Sequence, residues 1–247
     1  MSYPSGQLSI ANPLPTIRSA PLFGIRSKGS NIFLFIETAA VTVVAVLVIK
    51  LILTGSIFQP TWLVAPGILI IAALFPTVIT KRDFPCIGIN NKKIGHSLLL
   101  VGQACLVAFP AMVCCLWLMR YWGFKLPLWA TKPPAQGWFC WLFYQFMYIG
   151  LAEEIFFRGY VQNNILKTTR TTNHEQRRRL QCASIIISAG CFALAHIIVQ
   201  GEFASVLTLF PGLVLGWLFV RTRSLLAPIL FHGLANAAYF YMAALFV

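Results

Sequence analysis

At 247 residues, 58% hydrophobic and only 10% charged, the chain lacks the polar surface of a soluble globular protein. Its net charge of +13 comes from basic residues clustered between apolar runs, with no basic stripe interleaved with aromatics, which excludes nucleic acid as a partner. The composition predicts an all-α fold, a polytopic transmembrane helical bundle in a lipid bilayer.

Residues 1–30 carry Pro, Gly, Ser and three basic residues, without a short apolar core followed by a small-residue cleavage site. They read as a cytosolic arm rather than a signal peptide. Seven spans are predicted after it. The first covers 31–53 and contains Glu37 and Lys50, with Glu37 expected to snorkel from the inner end. The second covers 57–80, where Pro60, Pro66 and Pro76 should kink or shorten it. A polar segment, 81–96, reads as loop or surface-lying structure, and includes His96 as a polar-loop residue. The third span is 97–119, followed by a Pro- and Trp-rich interfacial connection over 120–136. The fourth helix runs without a breaker over 137–166, about 45 Å at the α-helical rise, so it must tilt or protrude. A basic linker, 167–179, which includes His174, leads to spans at 180–199, 203–220 and 224–247.

The basic residues orient the bundle. With the N-terminus inside, fourteen Lys and Arg fall on inner segments, from Arg18, Arg26 and Lys28 through Lys81, Arg82, Lys92 and Lys93 to Lys167, Arg170, Arg177–Arg179, Arg221 and Arg223. Only Arg120, Lys125 and Lys132 fall outside, so the prediction is N-in. The seven cysteines form no CxxC pair and lie mostly within apolar runs, where they read as small buried hydrophobes.

The fourth span contains LAEEIFFRGY, residues 151–160, with two of the six acidic residues of the chain side by side. An ionised group at membrane depth costs about 2.5–3.5 kcal/mol even on the lenient insertion scale, and marks a functional site. Counting inward from the basic segments puts Glu153 roughly 21 Å deep, His196 roughly 24 Å, and His232 and Asn236 roughly 13–20 Å. These layers overlap near the middle of the bilayer. Glu154 with Arg158, Phe192 with His196, and His232 with Asn236 are each spaced i,i+4, so each pair shares a helix face.

Carboxylates, imidazoles and a carboxamide in one cavity suit hydrolysis. A glutamate beside a histidine can deprotonate a water, and a second histidine with an asparagine can stabilise an oxyanion. No nucleophilic Ser or Cys is evident, since nothing around Ser184 or Ser188 marks them as activated. A zinc reading also stands, with Glu154, His196 and His232 as ligands, although no HExxH is present. The run Gly212-x-x-x-Gly216 reads as close helix contact. Arg177–Arg179 read as a topology determinant first and an anionic-lipid contact second.

Glu153-Glu154-Ile155-Phe156-Phe157-Arg158 fits EExxxR, Phe192–His196 fits FxxxH, and His232–Asn236 fits HxxxN, in that order on successive apolar helices. This set resembles the CAAX protease and bacteriocin-processing (CPBP) family of intramembrane proteases, over roughly 137–238. The glycine pair and the 224–229 approach to the last motif are similar too. The resemblance implies a glutamate protease in which Glu153 and His196 activate water, and His232 and Asn236 stabilise the oxyanion. Glu154 and Arg158 would organise the site as an ion pair, and Phe192 reads as packing rather than chemistry. No cofactor is favoured, and a zinc-dependent metalloprotease is the alternative.

The expected division is then an arm at 1–30, N-terminal spans at 31–136 and a CPBP-like catalytic core at 137–247. The expected substrate is a membrane-anchored protein or peptide, cut by an integral membrane endopeptidase of a bacterial inner membrane. The competing readings are a non-catalytic immunity or scaffold protein of the same family and a small transporter with a proton relay. The intact motif set disfavours the first, and the lack of an inverted repeat weakens the second.

Overall fold

The computed structural model describes residues 28–55, 64–84, 91–123, 137–168 and 173–246. Every regular element among them is helical. Helix α1 is Lys28–Gly55, α2 Val64–Ile79 and α3 Asn91–Tyr121. A continuous helix, α4, covers 138–167, and α5 is His174–Gln200. A 3-10 turn, Phe203–Thr208, leads into α6, Leu209–Thr222, and α7 is Leu226–Phe246. The expected all-α bundle is therefore present. Four segments, Asn31–Gly55, Ile94–Tyr121, His174–Gln200 and Phe203–Thr222, are long and apolar enough to cross a membrane. Such helices satisfy their own backbone groups, which hydrocarbon cannot do. Thr38, Thr42 and Thr77 likewise return their hydroxyls to the carbonyls four residues earlier.

Several boundaries differ from those expected. The second span is shorter: α2 has 16 residues, about 24 Å against a hydrocarbon core of about 30 Å. Residues 57–63 of that predicted span, with Pro60, lie outside the described residues, as do 1–27 of the arm and 124–136 of the Pro- and Trp-rich connection. Helix α3 begins at Asn91, so His96 is helical rather than in a loop. Helix α5 begins at His174, because Asn173 caps it by accepting the Glu175 N–H at 2.9 Å. Arg179 pairs with Glu175 on the exposed first turns of α5 at 2.5 Å.

Helix α4 is the axis of the fold and touches α1, α2, α5, α6 and α7. Its buried Phe156, Phe157, Tyr160 and Val161 form one apolar core with Ala45, Leu69, Phe192 and Phe219 from four other helices. Helix α3 lies to the side, against α6 and α7, through Val101, Ala104, Leu215 and Phe231. Its outer face exposes Leu106 and Val107, at 77% and 73%, as lipid-facing side chains do.

The basic segments meet at one end of the bundle. Lys167 Nζ donates to the Asp83 carbonyl, and Arg177 lies close enough to Arg223 to act on its charge. Burial first, and then Arg177, lower the pKa of Arg223. Glu37 does not snorkel. The chain after α2 turns back into the bundle, and Arg82 grips both Glu37 oxygens, Nη1 on Oε1 at 2.7 Å and Nη2 on Oε2 at 2.5 Å. Tyr160 of α4 donates to the same Oε1 at 3.1 Å, and Asn164 donates to Thr38. At the opposite end, Lys50 Nζ donates to the Val199 carbonyl, beside Gly201 (φ 75°) at the C-terminus of α5.

Candidate active site

Helix α4 is not uniformly α-helical. Trp138–Tyr144 is α, Gln145–Gly150 π, Leu151–Glu154 α, Ile155–Gln162 π and Asn163–Lys167 α. Glu153 and Glu154 therefore occupy one α-turn between two widened stretches. The i→i+5 pattern is rare and recurs at functional sites, where it re-aims side chains without ending the helix.

The two carboxylates have different environments. Glu154 is fully buried and accepts from Arg158 Nη1 at 3.0 Å on Oε1. The same Oε1 lies 2.7 Å from His232 Nδ1. A carboxylate oxygen accepts, so His232 Nδ1 carries a proton and its Nε2 faces away. Arg158, also fully buried, donates a second bond from Nη2 to the Gly212 carbonyl at 3.1 Å.

Glu153 is 18% exposed, and its Oε2 is buried without a hydrogen-bond partner. Two imidazole nitrogens face that atom, His232 Nε2 at 3.7 Å and His196 Nε2 at 3.9 Å. His196 Nδ1 donates to its own helix, to the Phe192 carbonyl at 2.9 Å. That bond fixes the tautomer and leaves the Nε2 lone pair of neutral His196 on the Glu153 side. A carboxylate oxygen and two ring nitrogens thus converge at distances too long for direct bonds and suited to sharing a water.

Phe192 supports both imidazoles. Its ring centroid lies 4.4 Å from that of His196 and 5.9 Å from that of His232, while the Arg158 guanidinium sits 4.8 Å over its face. Asn236, one turn beyond His232, donates from Nδ2 to Gln145 Oε1 at 3.0 Å. The structure therefore brings Glu153, Glu154, Arg158, Phe192, His196 and His232 into one constellation, and joins Asn236 to it through α7.

The glycine pair on α6 makes the close approach that its spacing suggested. A Cβ on Gly212 would lie 3.2 Å from Ala189 Cβ and 3.4 Å from Phe192 Cδ1. One on Gly216 would lie 3.2 Å from Ile185 Cγ2. The approach also brings two α6 carbonyls to α4: Gly216 accepts from Gln162 Nε2 at 3.0 Å as Gly212 accepts from Arg158. Gly212→Leu is expected to destabilise the protein by about 1–3 kcal/mol, the usual range for overpacking. Thermal unfolding in detergent checks this, and an unchanged midpoint would contradict the contact.

The residues read as possible zinc ligands do not converge as a set. Glu154 Oε1 is occupied by Arg158 and His232 Nδ1, and the free Nε2 atoms of His196 and His232 face Glu153 instead. Among the described residues no group of three His, Cys, Asp or Glu side chains is arranged to hold a metal. Ser188 donates to the Phe157 carbonyl at 2.9 Å and Ser184 to that of Gln181 at 2.8 Å, so both hydroxyls satisfy backbone. Gln145 was not anticipated. Its signal was present, as a lone amide within WFCWLFYQFMYIG, the same kind of anomaly as the glutamates.

Residues 135–238 match a family model described as Rce1-like, type II CAAX prenyl endopeptidase Rce1-like. No curated protein and no solved structure matches the chain. The matched segment encloses α4 to α7 as far as Asn236, and so holds every residue of the constellation. Over that segment, this integral membrane protein is similar to the Rce1-like family of CAAX-type proteases.

Proposed function

We propose that the chain is an intramembrane endopeptidase that hydrolyses a peptide bond in a membrane-anchored protein or peptide. One observation carries this reading: Glu153 Oε2 is buried and unpartnered between two imidazole Nε2 atoms. Glu153 and His196 hold the attacking water, and Glu153 takes its proton as the oxygen bonds to the scissile carbonyl carbon. His232, as imidazolium, and Asn236 donate to the resulting oxyanion. Collapse of that intermediate breaks the C–N bond, and the proton held by Glu153 passes to the leaving amine. Glu154 holds the His232 ring through Nδ1–H and balances its positive charge, and Arg158 holds Glu154. The family description names a CAAX prenyl endopeptidase, and a lipid-anchored substrate suits a site within the bilayer. The basic end is proposed to face the cytoplasm, with the N-terminus inside.

The test is cleavage of membrane-tethered reporter peptides by the full chain in proteoliposomes. The mechanism needs no metal, so cleavage should survive strong chelators with a loss below about twofold, whereas metal-dependent sites fail under chelation. Loss of activity that added zinc restores would overturn the metal-free reading.

A further inference from the structure

Asn236 has two amide hydrogens and can donate only in one orientation of its amide, because the opposite orientation presents an acceptor. In the structure its Nδ2 donates to Gln145 Oε1 at 3.0 Å. Gln145 is 6% exposed, while Phe143 and Met147, on either side of it in sequence, are 67% and 53% exposed to the lipid side. The amide therefore points into the bundle, where an unpaired polar group would be costly. Gln145 also opens the π-helical stretch that ends at Gly150. A Cβ on Gly150 would lie 3.0 Å from the Gln145 carbonyl oxygen and 3.7 Å from His232 Cβ. The widened turn and the bare glycine thus bring α4 against α7 at the level of His232. Gln145 meets Asn236 one turn further along.

We propose that Gln145 is a positioning residue for the oxyanion donor. Its Oε1 holds one Nδ2–H of Asn236, which fixes the amide and leaves the second N–H for the substrate oxyanion. With Gln145 Oε1 turned to α7 as in the structure, a flipped Asn236 would put two acceptors in contact, so Gln145 in this orientation favours Asn236 as a donor. This inference rests on the reading of Asn236 as an oxyanion donor.

The competing explanation is an interhelical bond that merely ties α4 to α7. A double-mutant cycle separates the two, using the full chain in proteoliposomes and a membrane-tethered reporter. Asn236→Ala is expected to lower kcat by about 10²-fold, as loss of an oxyanion donor does. Gln145→Leu should lower kcat by about tenfold with KM within about twofold, the pattern of an interaction made only in the transition state. In the Asn236→Ala background, Gln145→Leu should change kcat by less than about twofold, because nothing is left to orient. Equal losses in both backgrounds, or no loss in either, would overturn the proposal. An Asn236→Ala variant with wild-type kcat would instead remove the donor role itself. If Gln145→Leu does not fold, Gln145→Met keeps the unbranched shape and carries the same cycle.

Discussion

Replacing Glu153 with glutamine is expected to lower kcat by about 10²–10⁴, the usual range for a positioned general base, while the protein folds as before. The two halves of that expectation come from the same geometry. Glu153 Oε2 makes no hydrogen bond, and the imidazole nitrogens that face it lie 3.7 and 3.9 Å away. Neutralising it therefore breaks no short contact in the folded protein, and the unfolding midpoint should move by less than about 1 kcal/mol equivalent. A glutamine keeps the volume but offers no base of useful strength. Turnover of the tethered reporter and thermal unfolding of the same preparation check both halves. Cleavage at wild-type rate by Glu153→Gln would remove Glu153 as the base. A large fall in stability would show that Glu153 is a structural member of the buried ion cluster.

The site was legible because charge is expensive in lipid. Glu153, Glu154 and Arg158 stand out in an apolar run, and the i,i+4 spacing of Glu154 and Arg158 becomes a 3.0 Å bond. Counting depth from the basic segments placed His196 and His232 near Glu153, and their Nε2 atoms do face its carboxylate. The depth argument works because a helix rises evenly and the basic segments share one end. The π-helical stretches were not legible. They alter the turn by one residue without changing composition, so nothing in QFMYIG or IFFRGYVQ separates them from α-helix.

Non-local pairing was also hidden. Glu37, Arg82 and Tyr160 meet across 45 and 123 residues of chain, and no local spacing announces such a cluster. Helix starts at Asn91 and His174 were missed for another reason. Their first turns are polar enough to read as loop, although Asn173 before Glu175 is a usable capping signal. In a membrane protein hydrophobicity marks the immersed part of a helix, and the helix itself continues into water. Gln145 shows a third limit. A single buried amide attracts less notice than a charge, yet its desolvation calls for a partner in the same way.

The second large effect concerns stability, and it falls on Arg158. Arg158→Leu is expected to destabilise the fold by about 3–5 kcal/mol, the range for removing one partner of a buried ion pair. Both partners are fully buried, and Glu154 Oε2 has no hydrogen-bond partner of its own. Without the guanidinium, Glu154 keeps only the 2.7 Å contact to His232 Nδ1. The Gly212 carbonyl and the face of Phe192 lose a donor and a cation at the same time. The double variant Glu154→Met/Arg158→Leu discharges the site completely, so most of the lost stability should return. Activity should not return, because His232 Nδ1 has lost the carboxylate that orients its ring and balances its charge. Unfolding midpoints in mixed micelles and reporter cleavage by the same preparations measure the two quantities separately. A double variant no more stable than Arg158→Leu would mean that the stranded carboxylate is not the cause of the loss. A double variant that cleaves at the wild-type rate would show that His232 needs no carboxylate behind it, and Glu154 would then serve only to neutralise Arg158.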